Sequence, residues 1–393
     1  MFVGLFKGIR RIIKQPYAVI VPPAGYGSIG DDAMVRVLIR ESKKRGLVPI
    51  LLGGSDAITW SHIWKVKTAD YRKKVTTTVN LMMLLLKSRN LYIIGADIMD
   101  GHYDVDLVRR RLKLARVFSR IGIDTRVTGF SFNNAPNKAL CEEFNKLNGV
   151  NLFLRDIPSL ERFESKTKSK GIISADLAFL TQFSGSDKNV KNIIEWVDAK
   201  KKDGKIVIIV NINWLPFRSS ELSVNELIQR YTEICLEVNR GLNNGASFLI
   251  VPNDFRDSEK LGDRKLLKLL HDSLLVELGS NCKLVDIDFN SEELKLFSEK
   301  CDFVITGRMH LAIITATNSI PAFSVSYQAK FGGFYKYIGL ERMDLMIEPH
   351  ELLENHVASR ILANIHKRHE LSSKISDELP EIQGMVEKCL YQV

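Results

Sequence analysis

Short, unbroken apolar runs alternate with stretches of helical periodicity along most of the chain. This alternation restricts the fold more than any other feature of the sequence. In the first half the runs are 17–22, 48–52, 91–95, 124–129 and 151–154, with helical patterns at about 32–45, 75–88, 105–121 and 136–147. Each run is apolar on consecutive residues rather than on every second one. Both of its faces must therefore be covered, as in a parallel sheet flanked by helices. Strand and helix in alternation build a doubly wound α/β layer. A charged, glycine-containing stretch, DAKKKDG (198–204), interrupts the pattern. A second series follows, with KIVIIVNIN (205–213), ASFLIVPND (246–254), CKLVDID (282–288), CDFVIT (301–306) and PAFSVSY (321–327) as strands. Helices at about 224–240, 258–277, 291–299 and 309–318 separate them. A chain of 393 residues exceeds what one hydrophobic core organises. The expected architecture is α/β, with two Rossmann-like domains facing a cleft, at 17–198 and 199–349. A helix at 1–16 precedes them and a charged helical segment at 350–393 follows. Ligands of such sheets bind beyond the carboxyl ends of the strands.

Lysine and arginine exceed aspartate and glutamate by 56 to 46, a formal net charge of +10. Nucleic acid, acidic lipid and small anions all suit such a charge. No zinc finger, RNA-binding sheet signature or basic repeat is present, so no nucleic-acid partner is expected. No apolar run reaches the roughly 20 residues of a membrane span; the longest, around Leu81–Leu86, ends at Lys87. The opening segment MFVGLFKGIRRIIKQ contains no acid. On a helical wheel its Phe2, Leu5, Phe6, Ile9, Ile12 and Ile13 oppose Lys7, Arg10, Arg11 and Lys14. A helix over 2–14 of this kind suits an anionic membrane surface. The other reading packs it on the protein's own core with a solvated basic face. The interspersed cations and the lack of a small-residue cleavage site argue against a signal peptide. Cys141, Cys235, Cys282, Cys301 and Cys389 are scattered, with neither disulfide nor zinc spacing. The expected location is the cytoplasm, peripheral on the inner face of the membrane.

Four stretches put reactive residues where a strand ends. In PPAGYGSIGDDAM (22–34) a glycine-rich turn joins a strand to a helix, so Gly25, Gly27 and Gly30 can bring backbone amides close to a ligand. It lacks the lysine of a P-loop and the spacing of a dinucleotide fingerprint. Asp31 and Asp32 open the helix, where carboxylates suit the dipole. One of them suffices for capping; the other can take a proton from a sugar hydroxyl. In NLFLRDIPSLERF (151–163), Arg155 follows the strand directly, and Asp156 and Ser159 can cap the next helix. A cleft-facing cation and a surface Arg155–Asp156 pair are both consistent with that placement. In CDFVITGRMHLAIITATNSIPAFSVSY (301–327), Arg308 and His310 stand where a strand gives way to a helix. A helix N-terminus attracts anions, the guanidinium fork grips carboxylate or phosphate with two bonds, and imidazole exchanges protons near neutral pH. In SYQAKFGGF (326–334), Lys330 either reaches the same anion or is an ordinary loop lysine.

Together these stretches resemble the polysaccharide pyruvyl transferase family. GYGSIGDDAM is similar to its N-terminal glycine-rich motif, LRDIPS to its Arg-Asp-x-x-Ser segment, and SADLAFL (174–180) to the strand that follows. CDFVITGRMHLAIITATNSIPAFSVSYQAK is similar to its most specific block. One departure is IIGADIMDG (93–101), where Ala96 and Asp97 interrupt the glycine triplet common in the family. The resemblance implies two Rossmann-like domains like those of the glycosyltransferase B fold. It implies transfer of the pyruvyl group of phosphoenolpyruvate to two hydroxyls of a sugar, giving a cyclic ketal on a cell-surface polysaccharide or its lipid-linked precursor. It places Asp31, Arg155, Arg308, His310 and Lys330 near the donor; Gly27, Gly30 and Asp32 of the glycine-rich turn are expected to bind substrate as well. His310 is then the acid and Asp31 the base, or the reverse. Phosphoenolpyruvate serves as donor substrate, and no cofactor or metal is expected. Two other readings fit the same residues: a nucleotide-sugar-dependent glycosyltransferase of this fold, and a non-catalytic scaffold in a polysaccharide assembly complex.

Overall fold

The computed structural model describes residues 2–23, 27–53, 57–70, 76–102, 104–183, 185–218, 222–256, 262–326 and 330–391. The chain forms two compact units. One comprises Met1–Tyr26, Met34–Leu177 and Ile382–Val393, the other Gly27–Ala33 and Ala178–Glu381.

The first unit holds a parallel sheet of β1 (Tyr17–Val21), β2 (Val48–Gly53), β3 (Lys67–Asp70), β4 (Ser88–Ile94), β5 (Asp124–Phe130), β6 (Val150–Leu154) and β7 (Ile172–Ile173). Their order is β3-β2-β1-β4-β5-β6-β7. The helices are α1 (Phe2–Ile12), α2 (Ile29–Lys44, in this unit from Met34), α3 (Ala57–Trp64), α4 (Thr76–Lys87), α5 (Val105–Arg120), α6 (Lys138–Asn145) and α7 (Ile157–Lys166). Val19, Ile93, Val127 and Leu152 of the sheet share one buried core with Val108, Leu112 and Ala115 of α5. Phe132, Phe144 and Phe163 meet edge to face at 5.1–6.0 Å between centroids, the arrangement ring quadrupoles favour.

Helix α1 corrects the expected separation of faces. Arg10 is buried and donates to the carbonyl oxygens of Leu85 and Leu86 at the end of α4, and to Gln15 Oε1. Unpaired carbonyls at a helix C-terminus are what a buried guanidinium needs. Phe6 packs on the core. Lys7, Arg11 and Lys14 are exposed, as are Ile9 and Ile12, the latter 86 %.

The second unit holds β8 (Ile206–Asn211), β9 (Ala246–Ile250), β10 (Cys282–Leu284), β11 (Phe303–Thr306), β12 (Ala322–Val325) and β13 (Met346–Ile347), all parallel. Their order is β10-β9-β8-β11-β12-β13. The helices are α8 (Lys191–Lys202), α9 (Val224–Gly241), α10 (Arg264–Leu278), α11 (Ser291–Ser298), α12 (Met309–Ala316), α13 (Lys330–Tyr337), α14 (Val357–His366) and α15 (Arg368–Tyr391). In each sheet the strand order reverses once, between β1 and β4 and between β8 and β11. Crevices for ligands form at the carboxyl ends beside such reversals.

The units divide between Leu177 and Ala178, not at 198–199. The lysine run that suggested a linker is the last turn of α8, where cations suit the helix dipole. Lys201 Nζ lies 2.6 Å from both oxygens of Asp302, and Asp302 Oδ2 accepts from Val207 N at 2.8 Å. The run therefore ties α8 to the amino ends of β8 and β11. Residues 350–393 are likewise not a separate segment: α14 and α15 as far as Glu381 belong to the second unit, and Ile382 onward to the first.

Candidate active site

Local chemistry sets the turn after β11. Thr306 Oγ1 accepts from Arg308 N at 2.9 Å. Gly307 has no room for a side chain, because a Cβ there would lie 2.9 Å from the Cβ of Asn213. Asn213 Nδ2 in turn donates to Gly307 O at 2.9 Å. The loops after β8 and β11 thus interlock at the reversal of the sheet. Helix α12 then starts at Met309, and Leu311–Ala316 are all buried. Its far end is closed by Lys295, whose Nζ donates to Thr317 O, Thr317 Oγ1 and Asn318 Oδ1 at 2.7–3.0 Å. Burial pulls the Lys295 ammonium pKa down to about 8.

Arg308 reaches back across the sheet. Its Nε and Nη2 both donate to Asp263 Oδ1, and its Nη1 lies 3.8 Å from Asp254 Oδ2. Asp263 is 1 % exposed. Burial raises its carboxyl pKa, and the Arg308 charge opposes that rise. Asp254 also takes Arg256 in a two-pronged grip, Nε to Oδ1 at 2.9 Å and Nη2 to Oδ2. That hydrogen bond holds the Arg256 guanidinium pKa above its usual value.

The glycine-rich segment lies along the same loops. Ser28 pairs with Asp254, Ile29 N donates to Asn253 O at 3.0 Å, and Phe255 N donates to Gly27 O at 2.7 Å. Gly27 has φ +120°, and a Cβ there would lie 2.6 Å from Arg256 Cγ. Gly30 lies against the imidazole: a Cβ there would be 2.1 Å from His310 Nδ1. Asp31, next in the chain, is half-buried and within electrostatic reach of Arg256. Asp32 turns one carboxylate oxygen to another helix rather than to its own. Its buried Oδ2 accepts from Ser291 N at 3.0 Å and Ser291 Oγ at 2.8 Å, at the start of α11. Gly25 lies outside the described residues, as do residues 327–329 and the side chain of Lys330, whose backbone opens α13.

In the first unit, Arg155 follows β6 and its N donates to Phe130 O at 3.0 Å. The Arg155–Asp156 pair, one of the two readings open in the sequence, is present but buried and loose rather than on the surface. The Arg155 side chain is 4 % exposed, with its Nε 3.8 Å from Asp156 and its Nη1 3.7 Å from Asp176. Asp156 Oδ1 accepts instead from Ser159 N at 2.7 Å, capping α7. Arg155 Nη2 has no hydrogen-bond partner among the described residues. A buried guanidinium with such distant carboxylates has capacity for a further acceptor.

The second unit thus joins Gly27, Gly30, Asp31, Arg308 and His310; Arg155 belongs to the first unit. Sequence reasoning missed Asp254, Arg256, Asp263 and the asparagines that orient them. It also missed buried Arg111, which donates to the carbonyls of Pro22 and Pro23 ahead of the glycine-rich turn. One signal was present: Asn211, Asn213 and Asn253 are the polar residues at which apolar runs stop. Among the described residues, no group of three His, Cys, Asp or Glu side chains is placed to hold a metal ion.

Two parallel six- and seven-stranded sheets with helices on both faces define a glycosyltransferase B-like fold. HepE from Anabaena, in complex with UDP-glucose, shares it at TM-score 0.58 and 11% identity, over 96% of this chain and 100% of that one. A glycosyltransferase from Rickettsia africae shares it at TM-score 0.53 and 13% identity, over 97% and 100%. Such distant likeness speaks for the fold alone. The chain belongs to the polysaccharide pyruvyl transferase family, which matches residues 29–329. It is also 25% identical over 248 residues, 59% of its length, to the amylovoran biosynthesis protein AmsJ from Erwinia amylovora. The match spans 55% of the length of AmsJ.

Proposed function

We propose that this protein transfers the pyruvyl group of phosphoenolpyruvate to two hydroxyls of one sugar in a polysaccharide or its lipid-linked precursor, closing a cyclic ketal. Family membership supports the transferase class, and the AmsJ likeness supports a role in polysaccharide biosynthesis. The observation that carries the reading is the imidazole of His310 set against Gly30, with Asp31 adjacent and Arg308 at the same helix tip. Arg308 holds an anionic group of the donor. His310 gives a proton to the donor's methylene carbon, leaving an oxocarbenium-like centre. A first sugar hydroxyl attacks that centre as Asp31 accepts its proton. A second hydroxyl displaces phosphate and its proton leaves with the phosphate. The former enol carbon ends with a methyl group, a carboxylate and two sugar oxygens.

Incubation with phosphoenolpyruvate and a candidate glycan tests this. Release of inorganic phosphate with a pyruvate-sized mass gain on the glycan is expected. Release of UDP from UDP-glucose instead would replace the reading with glycosyl transfer.

Arg155 is assigned to the donor as well. Arg155→Ala should weaken phosphoenolpyruvate binding roughly 10–100-fold, the loss of one charged hydrogen-bonding partner. Calorimetry showing unchanged affinity in a folded variant would remove it from the site.

The acceptor is met at an anionic membrane surface through α1, on the cytoplasmic side. The attachment proposed is peripheral, through the exposed residues of one helix; no helix among the described residues is long and apolar enough to cross a membrane. Exposed Lys7, Arg11 and Lys14 flank exposed Ile9 and Ile12. Each cation near such a surface contributes about 1 kcal/mol, which makes the attraction reversible. The triple variant K7E/R11E/K14E leaves the buried Arg10 in place and should no longer float with phosphatidylglycerol vesicles. Unchanged flotation would refute the surface role of α1.

A further inference from the structure

We propose that Asp263 is a positioning residue, holding the guanidinium of Arg308 at the orientation that donor binding needs. This rests on the reading of Arg308 given above. Asp263 precedes α10, yet its side chain does not cap that helix. It is spent on the loops around it. Oδ1 accepts from Nε and Nη2 of Arg308, occupying that whole edge of the guanidinium. Oδ2 accepts from Asn211 Nδ2 and from Asn253 N, each at 2.9 Å. Asn211 ends β8, Asn253 follows β9, and Arg308 follows β11. One carboxylate, 1 % exposed, therefore pins the arginine to two neighbouring strands. Both Asp263 oxygens face donors. The end-on edge of Arg308, Nη1 with Nη2, is held at one orientation. A two-pronged grip on phosphate or carboxylate requires that geometry.

An amide cannot do this, because it offers one acceptor and two donors. In Asp263→Asn the amide nitrogen must face either Arg308 or the Asn211–Asn253 pair, setting donor against donor. Arg308 would then be loosened while the surrounding fold persists.

The test follows phosphate release against phosphoenolpyruvate concentration in wild type, Asp263→Asn, Arg308→Lys and the double variant. Asp263→Asn should raise KM for the donor about 10–100-fold with kcat little changed. The double variant should be no worse than Arg308→Lys alone, since both substitutions break one interaction. A merely structural Asp263 would lower the melting temperature, leave KM unchanged, and add its effect to that of Arg308→Lys; that pattern overturns the proposal. A second readout needs no turnover. The Arg308 Nε–H resonance, identified by its loss in Arg308→Lys, should be slow to exchange in wild type and broadened in Asp263→Asn. This judges Asp263 whether or not wild type consumes phosphoenolpyruvate, and an unchanged resonance also overturns the proposal. If Asp263→Asn does not fold, Asp263→Ser, smaller and still an acceptor, takes its place in both measurements.

Discussion

His310→Ala should lower turnover by roughly 10²–10⁴-fold, the range for a positioned proton-transfer group, in a protein expected to stay folded and to bind its donor. The geometry separates this from a structural role. The buried stretch of α12 begins one residue later, at Leu311, and His310 itself is only half-buried. Truncating it leaves the buried apolar residues of α12, Leu311–Ala316, in place. Thermal melting and calorimetric affinity for phosphoenolpyruvate, measured on one sample, decide the matter. Near-normal turnover in a folded sample would end the catalytic assignment. Activity lost only in step with unfolding would make His310 a packing residue.

Gly30→Ala should abolish activity almost as completely, without touching a reactive group. The added methyl would lie 2.1 Å from His310 Nδ1, 2.2 Å from Cγ and 2.7 Å from Cε1. A planar ring anchored on α12 cannot yield at its tip, so the imidazole must rotate away. Gly30 sits in α2, where alanine is the better helix former by about 1 kcal/mol. That gain offsets much of the roughly 1–3 kcal/mol cost of overpacking. The expected signature is a large loss of turnover with a small change in melting temperature. In combination with His310→Ala the substitution should add nothing, because the two share one contact. A Gly30→Ala protein with wild-type turnover would mean that the imidazole does not work from this position.

The strands that carry the site were legible because they are central. A central parallel strand is covered on both faces, so Tyr17–Val21 is apolar throughout, and Ile206–Asn211 and Phe303–Thr306 are apolar up to their last residue. Three of the four edge strands were not legible, β10 being the exception. Lys67–Asp70 contains three polar residues, and Ile172–Ile173 and Met346–Ile347 are too short to show a pattern. Arg308 and His310 could be read because their meaning is local: a strand end, a glycine, a helix start. Asp263 and Asp254 could not, since what they do depends on residues that are distant in sequence. Asp254 was absorbed into the apolar run ASFLIVPND, although β9 stops at Ile250. Arg10 was misread for the same reason. A helical wheel assigns it to the polar face, but the carbonyls it satisfies belong to α4.

The ion pair between Lys201 and Asp302 sits at the amino ends of β8 and β11, while Arg308, Asn211 and Asn213 sit at or beyond the carboxyl ends of the same two strands. The two jobs of this sheet are therefore physically separated by the length of its own strands. An engineer can tune robustness at one margin and ligand choice at the other. Lineages facing a hotter habitat and lineages facing a new saccharide would draw on different residues of one sheet, with little interference between the two.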